Sequence, residues 1–122
     1  MSYTYRTPRL DRFALAQLAI ATDDPNPVHH DHTHAVACGL PGVIGSGLFV
    51  LGLLDKAVRD TAGVDAGYTF DVRMRAPILP DAALEIAWDD TDGSITVGSV
   101  TAEGAPSSIA TGSLRLNGCA DG

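Results

Sequence analysis

Hydrophobic and polar positions change their period twice along the chain, and each change marks an element. From Tyr3 to Thr7 they alternate, which predicts a short first strand. After Pro8, Asp11 can cap a helix running to about Ala21, with Leu10, Phe13 and Leu18 on its apolar side. Pro25 and Pro27 then fix their φ angles and remove backbone donors, so the next stretch cannot be regular helix. Asp31 reads as the N-cap of a short helix ending near Gly39. A longer helix is expected from about Ser46 to Ala62. Its first turns, GLFVLGLL, are apolar on every side, and a helix without a polar face is expected to be buried all round. DKAVRD carries it into solvent, and Gly63 is placed to end it.

From Ala66 onward the period becomes two. YTFDVRMRAP puts Tyr68, Phe70, Val72 and Met74 on one face and Thr69, Asp71, Arg73 and Arg75 on the other. LEIAWDD repeats this with Leu84, Ile86 and Trp88, DDTDG is a turn, and SITVGSV and SSIATGSLRL complete a run of antiparallel strands. One apolar helix followed by strands with a single apolar face predicts an α+β fold whose antiparallel sheet curls around that helix. So small a sheet leaves an edge strand in need of a partner, so the expected assembly is a dimer with the sheets side by side.

Composition narrows the function. A chain of 122 residues suits one domain, 1–122, and 45% apolar with 19% charged residues is the balance of a globular protein. A net charge of −7 argues against nucleic-acid or anionic-membrane partners. A phosphate-bearing ligand would have to rely on a few cations; Arg73, Arg75, Lys56 and Arg59 are candidates, although each also reads as a solvated charge. The first residues lack an apolar signal segment, and GLFVLGLL is far too short to span a bilayer. Cys38 and Cys119 read as free thiols, so a cytoplasmic protein is expected. NGCADG reads as a frayed tail.

The stretch DDPNPVHHDHTH holds all four histidines and three aspartates. The i,i+2 histidines come without a CxxC or HExxH frame, so no native metal site is expected. Asp24 and His29 are five residues apart on a proline-stiffened loop, which suits general acid/base chemistry: a carboxylate and an imidazole can share one water, one taking a proton while the other gives one up. The plainer alternative is a turn-capping aspartate and a surface histidine. Asn26 between the prolines reads as a loop-holding side chain, Asp31 as a helix cap, and His30, His32 and His34 as either solvent-facing or supporting the site from behind; Asp23 has no derivable role. Gly45, Ser46 and Gly47 stand at the start of the apolar helix, where free N–H groups and the positive end of the dipole could stabilise a carbonyl oxygen becoming negative. Simple packing of a helix start under the sheet would explain the same residues.

DDPNPVHHDHTHA resembles the hydratase signature of MaoC-like, (R)-specific enoyl-CoA hydratases, D-x-N-P-[aliphatic]-H-x-D-x-x-x-A, with Asp24, Asn26, Pro27, Val28, His29, Asp31 and Ala35 in register. GLPGVIGSGLF and RMRAPILPDAAL look like later segments of the same family. The resemblance implies a hotdog fold and reversible addition of water across a trans-2-enoyl thioester of CoA or acyl carrier protein, without a cofactor. It further implies that Asp24 and His29 activate the water, that the Gly47 amide polarises the thioester carbonyl, and that Asn26 and Ser46 belong to the substrate site. Which of the pair takes the first proton stays open. The chain departs from the family pattern at Asp23, where glycine is usual, at Ser46, where histidine is common, and at Pro80-Asp81-Ala82, where the pattern has Pro-Gly-Asp. The extra carboxylate of Asp23 would lift the pKa of Asp24. The VHHD variant also looks like small subunits of hydratases acting on steroid side-chain CoA thioesters, which pair with a different hotdog chain. A hotdog thioesterase and a non-catalytic partner subunit are the competing readings.

Overall fold

The structure, a computed structural model, describes residues 1–62, 68–101 and 107–116. The expected helix stop at Gly63, the change of period at Ala66 and the tail with Cys119 lie outside the described residues. The elements follow in the order β1 (Ser2–Arg6), α1 (Arg12–Ala21), a 3-10 turn (Pro27–His29), α2 (His32–Ala37), α3 (Gly47–Ala62), β2 (Tyr68–Met74), β3 (Ala83–Asp89), β4 (Ser94–Val100) and β5 (Ser107–Leu116). The strands form one sheet in the order β1-β3-β4-β5-β2, with every pairing antiparallel, so β1 and β2 are its edges.

Alternation sets which face is buried. Leu84, Ile86 and Trp88 of β3, Ile95 and Val97 of β4, and Ile109 and Leu114 of β5 point inward onto α3. From α3 they receive Val50, Leu53, Leu54, Ala57 and Val58. Each fully buried Leu, Ile or Val contributes roughly 1.5–3 kcal/mol, so this contact is the main attachment of the helix to the sheet. Tyr3 of β1 stacks on Trp88 at 4.6 Å between ring centroids and closes one end of the core.

Two expectations about helix faces need correction. Phe13 is 71% exposed; the buried stripe of α1 is Leu15 and Ala19, with Leu18 half-buried. Leu15, Leu18 and Ala19 stand at i, i+3 and i+4, whereas Phe13 is about 200° around the helix from Leu15. Nor is α3 buried on all sides: Leu48 and Leu51 are 51% and 42% exposed. The sheet packs against one side of the helix, and among the described residues the opposite stripe stays open at Leu48 and Leu51. Met74, at the end of β2, is likewise exposed.

Candidate active site

The end of α1 sets the position of Asp24. The Asp24 amide donates to the Ala19 carbonyl at 2.8 Å, and the Asp23 amide donates to that of Ile20 at 3.0 Å. This crossed pair is a Schellman cap, which requires a left-handed residue at its centre. Asp23 occupies that centre at φ 56°. It therefore has a role that its side chain did not suggest, and glycine in the family pattern suits the same backbone position.

The loop then turns on its own side chains. Asn26 caps the 3-10 turn, its Oδ1 accepting from the Val28 amide at 3.2 Å. Asp24 Oδ1 accepts from the Asn26 amide at 3.3 Å. The turn delivers His29 into the interior, 6% exposed, while His30, His32 and His34 stay at the surface. Asp31 caps α2 through the His34 amide, as expected.

His29 is held at both nitrogens. Nδ1 lies 2.7 Å from the Ile44 carbonyl oxygen, which can only accept, so this nitrogen donates. Nε2 faces Asp24 Oδ2 at 3.0 Å, and a proton on either atom completes that bond. The same oxygen accepts from the Ser46 hydroxyl at 2.8 Å. One oxygen of Asp24 therefore holds the turn, while the other meets both His29 and Ser46. Its carboxyl is held below the usual carboxylate range, first by the Ser46 hydroxyl, against the opposing effect of burial, with further lowering from the Asn26 amide and His29. The rise expected from Asp23 is not found.

Ser46, 1% exposed, also caps α3: its Oγ accepts from the Leu48 amide at 3.3 Å. Gly47 is therefore the first helical residue, and its N–H has no acceptor within the helix. The two glycines beside Ser46 differ. A methyl at Gly45 would come within 2.9 Å of Ile78 Cβ, and the Gly45 amide donates to the Ile78 carbonyl at 2.7 Å, so this glycine serves packing. A methyl at Gly47 would meet only Met74 Cγ, at 3.9 Å.

Gly47 instead faces an open cleft of about 360 Å³, lined by Asp24, Ser46, Gly47, Leu48, Val50, Leu51, Val72 and Met74. The polar groups gather at one end and the rest is apolar. Asn26 and His29 do not line it; His29 reaches it through Asp24. Of the cations considered for phosphate, Lys56 pairs with Asp60, Arg59 with Asp55, and Arg75 bonds Thr111; none lines the cleft. Among the described residues, no three His, Cys, Asp or Glu side chains converge so as to hold a metal ion, and no helix is long and apolar enough to cross a membrane. The sequence reading missed the Ile44 carbonyl, which leaves no side-chain signal, and the Ser46–Asp24 bond, which spans 22 positions.

A helix packed under a five-stranded antiparallel sheet defines a hotdog protein, and the Asp24–His29 pair lies beside the start of that helix. Residues 6–106 match the family model described as MaoC like domain, and the chain belongs to that family. No curated relative matches the chain. Among solved structures, the ChsH1–ChsH2 complex from Mycobacterium tuberculosis is similar with a TM-score of 0.72 at 24% identity, covering 96% of each chain. An (R)-hydratase from A. caviae involved in PHA biosynthesis gives 0.66 at 15% identity, covering 96% of this chain and 95% of that one. A structure described as a MaoC-like dehydratase gives 0.67 at 27% identity, covering 96% of this chain and 40% of that one.

Proposed function

We propose that the chain is a hydratase/dehydratase that adds water reversibly across the double bond of a trans-2-enoyl thioester, carried on CoA or acyl carrier protein, to give the 3-hydroxyacyl thioester. The observation that carries this reading is the 3.0 Å contact of His29 Nε2 with Asp24 Oδ2 at the polar end of an apolar cleft that Gly47, the first residue of α3, also lines. The thioester carbonyl accepts from Gly47 N–H, so negative charge developing on its oxygen meets a fixed donor at a helix start. A water beside Asp24 gives up a proton to the pair as its oxygen bonds to the β-carbon. The pair returns a proton to the α-carbon, and no cofactor is needed. General acid/base assistance of this kind supplies roughly 10²–10⁴ in rate. The Ile44 carbonyl fixes the imidazole orientation, and Ser46 fixes the carboxylate.

The exposed Leu48, Leu51 and Met74, beside the free edge of β2, favour a second hotdog chain covering the cleft. A homodimer or a heteromer in the manner of ChsH1–ChsH2 would supply it. The reading is tested with crotonyl-CoA by following the loss of enoyl absorbance and the release of free thiol together, on the chain alone and with any hotdog chain that co-purifies. Loss of absorbance without thiol supports hydration. Thiol release points to a thioesterase, and neither signal removes the catalytic reading.

A further inference from the structure

The exposed stripe of α3 continues past the cleft. Asp55 stands one turn beyond Leu51, and Arg59 one turn beyond Asp55. On the facing strand, Val72 is followed along the inward face by Phe70 and Tyr68. Here the gap between α3 and β2 is bridged. The Tyr68 hydroxyl donates to Asp55 Oδ1. Arg59 Nε donates to both carboxylate oxygens of Asp55, at 3.1 and 3.2 Å. The Arg59 guanidinium sits 5.4 Å from the Tyr68 ring centroid, and the Phe70 ring lies 5.3 Å from that of Tyr68. The same helix and strand are therefore parted at Gly47 and Met74 and tied together at Asp55 and Tyr68.

We propose that the Tyr68–Asp55–Arg59 cluster is the end wall of the acyl cleft and restricts the enzyme to short acyl chains. This rests on the hydratase reading given above. A thioester carbonyl at the Gly47 amide points its acyl chain along Leu48, Leu51 and Val72. Asp55 lies eight residues beyond Gly47, about 12 Å along the helix axis. Side chains occupy part of that span, so a chain of roughly four to six carbons fills it and a longer one meets the cluster. The wall resists because its members satisfy one another. A terminal methyl forced between them would separate a carboxylate from a guanidinium and a hydroxyl and give nothing back. An apolar residue at position 55 would have continued the trough. The cluster is also electrostatically settled: the Tyr68 hydroxyl, and after it Arg59, hold the Asp55 carboxyl below its ordinary range against the effect of burial.

The test compares kcat/KM for crotonyl-, trans-2-hexenoyl- and trans-2-decenoyl-CoA in the wild type, Tyr68→Ala and Asp55→Ala, using the full chain with any partner chain it needs. The wild type is expected to prefer crotonyl over decenoyl by about tenfold or more, and each variant to shift that ratio toward decenoyl by about tenfold. A merely structural tie between α3 and β2 would lower all three rates together. Asp55→Ala keeps the question open to measurement if Tyr68→Ala does not fold. Equal rates on all lengths in the wild type, or an unchanged ratio in the variants, overturn the proposal. Calorimetric binding of saturated butanoyl- and decanoyl-CoA reads the wall without turnover. Tighter butanoyl binding that Asp55→Ala removes upholds the wall even if hydration fails; equal binding, or none, overturns it.

Discussion

Ser46 and His29 reach the same oxygen of Asp24, at 2.8 and 3.0 Å. The serine is 1% exposed and stands at the cap of α3, so it ties the carboxylate to the helix start that carries Gly47. Replacing it by alanine removes the largest influence lowering the Asp24 pKa and leaves the geometry of the loop otherwise intact. Because the folded-state pKa is depressed, ionised Asp24 persists below the ordinary carboxylate value of 3.8 and is lost only as pH falls through the depressed value. Ser46→Ala should therefore move the acid limb of the kcat/KM profile upward and lower the plateau by roughly tenfold. A pH–rate profile that superimposes on the wild type after scaling would show that the serine acts on something other than Asp24.

The two glycines flanking Ser46 should respond in opposite ways. Gly45→Ala forces a methyl to within 2.9 Å of Ile78 Cβ and 3.2 Å of Leu15 Cδ2, and should cost about 1–3 kcal/mol of stability. Gly47→Ala meets only Met74 Cγ at 3.9 Å and should fold normally. Gly47→Pro is the sharper change. Proline is accepted at the first position of a helix, yet it deletes the one N–H assigned to the thioester oxygen. It should leave the melting temperature within a few degrees of the alanine variant and lower kcat by roughly 10²–10³. Equal activity of the alanine and proline variants would remove the amide from the mechanism.

Asp23 holds the centre of the α1 cap at φ 56°, where a side chain is a strain that glycine does not carry. Asp23→Gly should raise stability by roughly 0.5–1 kcal/mol, a few degrees in Tm by calorimetry. Asp23→Val should lower it, since a β-branched residue tolerates this backbone poorly. If glycine destabilises the fold, the cap does not hold Asp24 in the way its backbone bonds indicate.

Much of this was legible in the chain because it is written locally. Asp11 and Asp31 announce their helices as capping side chains, and β2 and β3 announce their faces by alternation. Asp24 and His29 lie within one turn-forming stretch, so their meeting needed only a stiff loop. What was hidden depends on segments distant in sequence. Ser46 finds Asp24 because the end of α1 and the start of α3 are brought together, and Val72 and Met74 enter the cleft only once β2 lies along α3. The Ile44 carbonyl has no residue type to betray it. Phe13 and Leu51 show the converse failure: an apolar side chain says that burial is favourable, not that anything in the same chain is there to cover it.

The central claim is that Asp24 and His29 share the protons of one added water. The most direct measurement is the hydration rate of crotonyl-CoA by the wild type, Asp24→Asn and His29→Ala, with free thiol monitored in parallel and folding checked by circular dichroism. The account predicts loss of enoyl absorbance without thiol release in the wild type, and a fall of roughly 10²–10⁴ in kcat in each folded variant. Losses of similar size in the singles and the double variant would mark the two as a unit. Folded variants that hydrate at the wild-type rate, or a wild type that releases thiol and leaves the alkene unchanged, would contradict it.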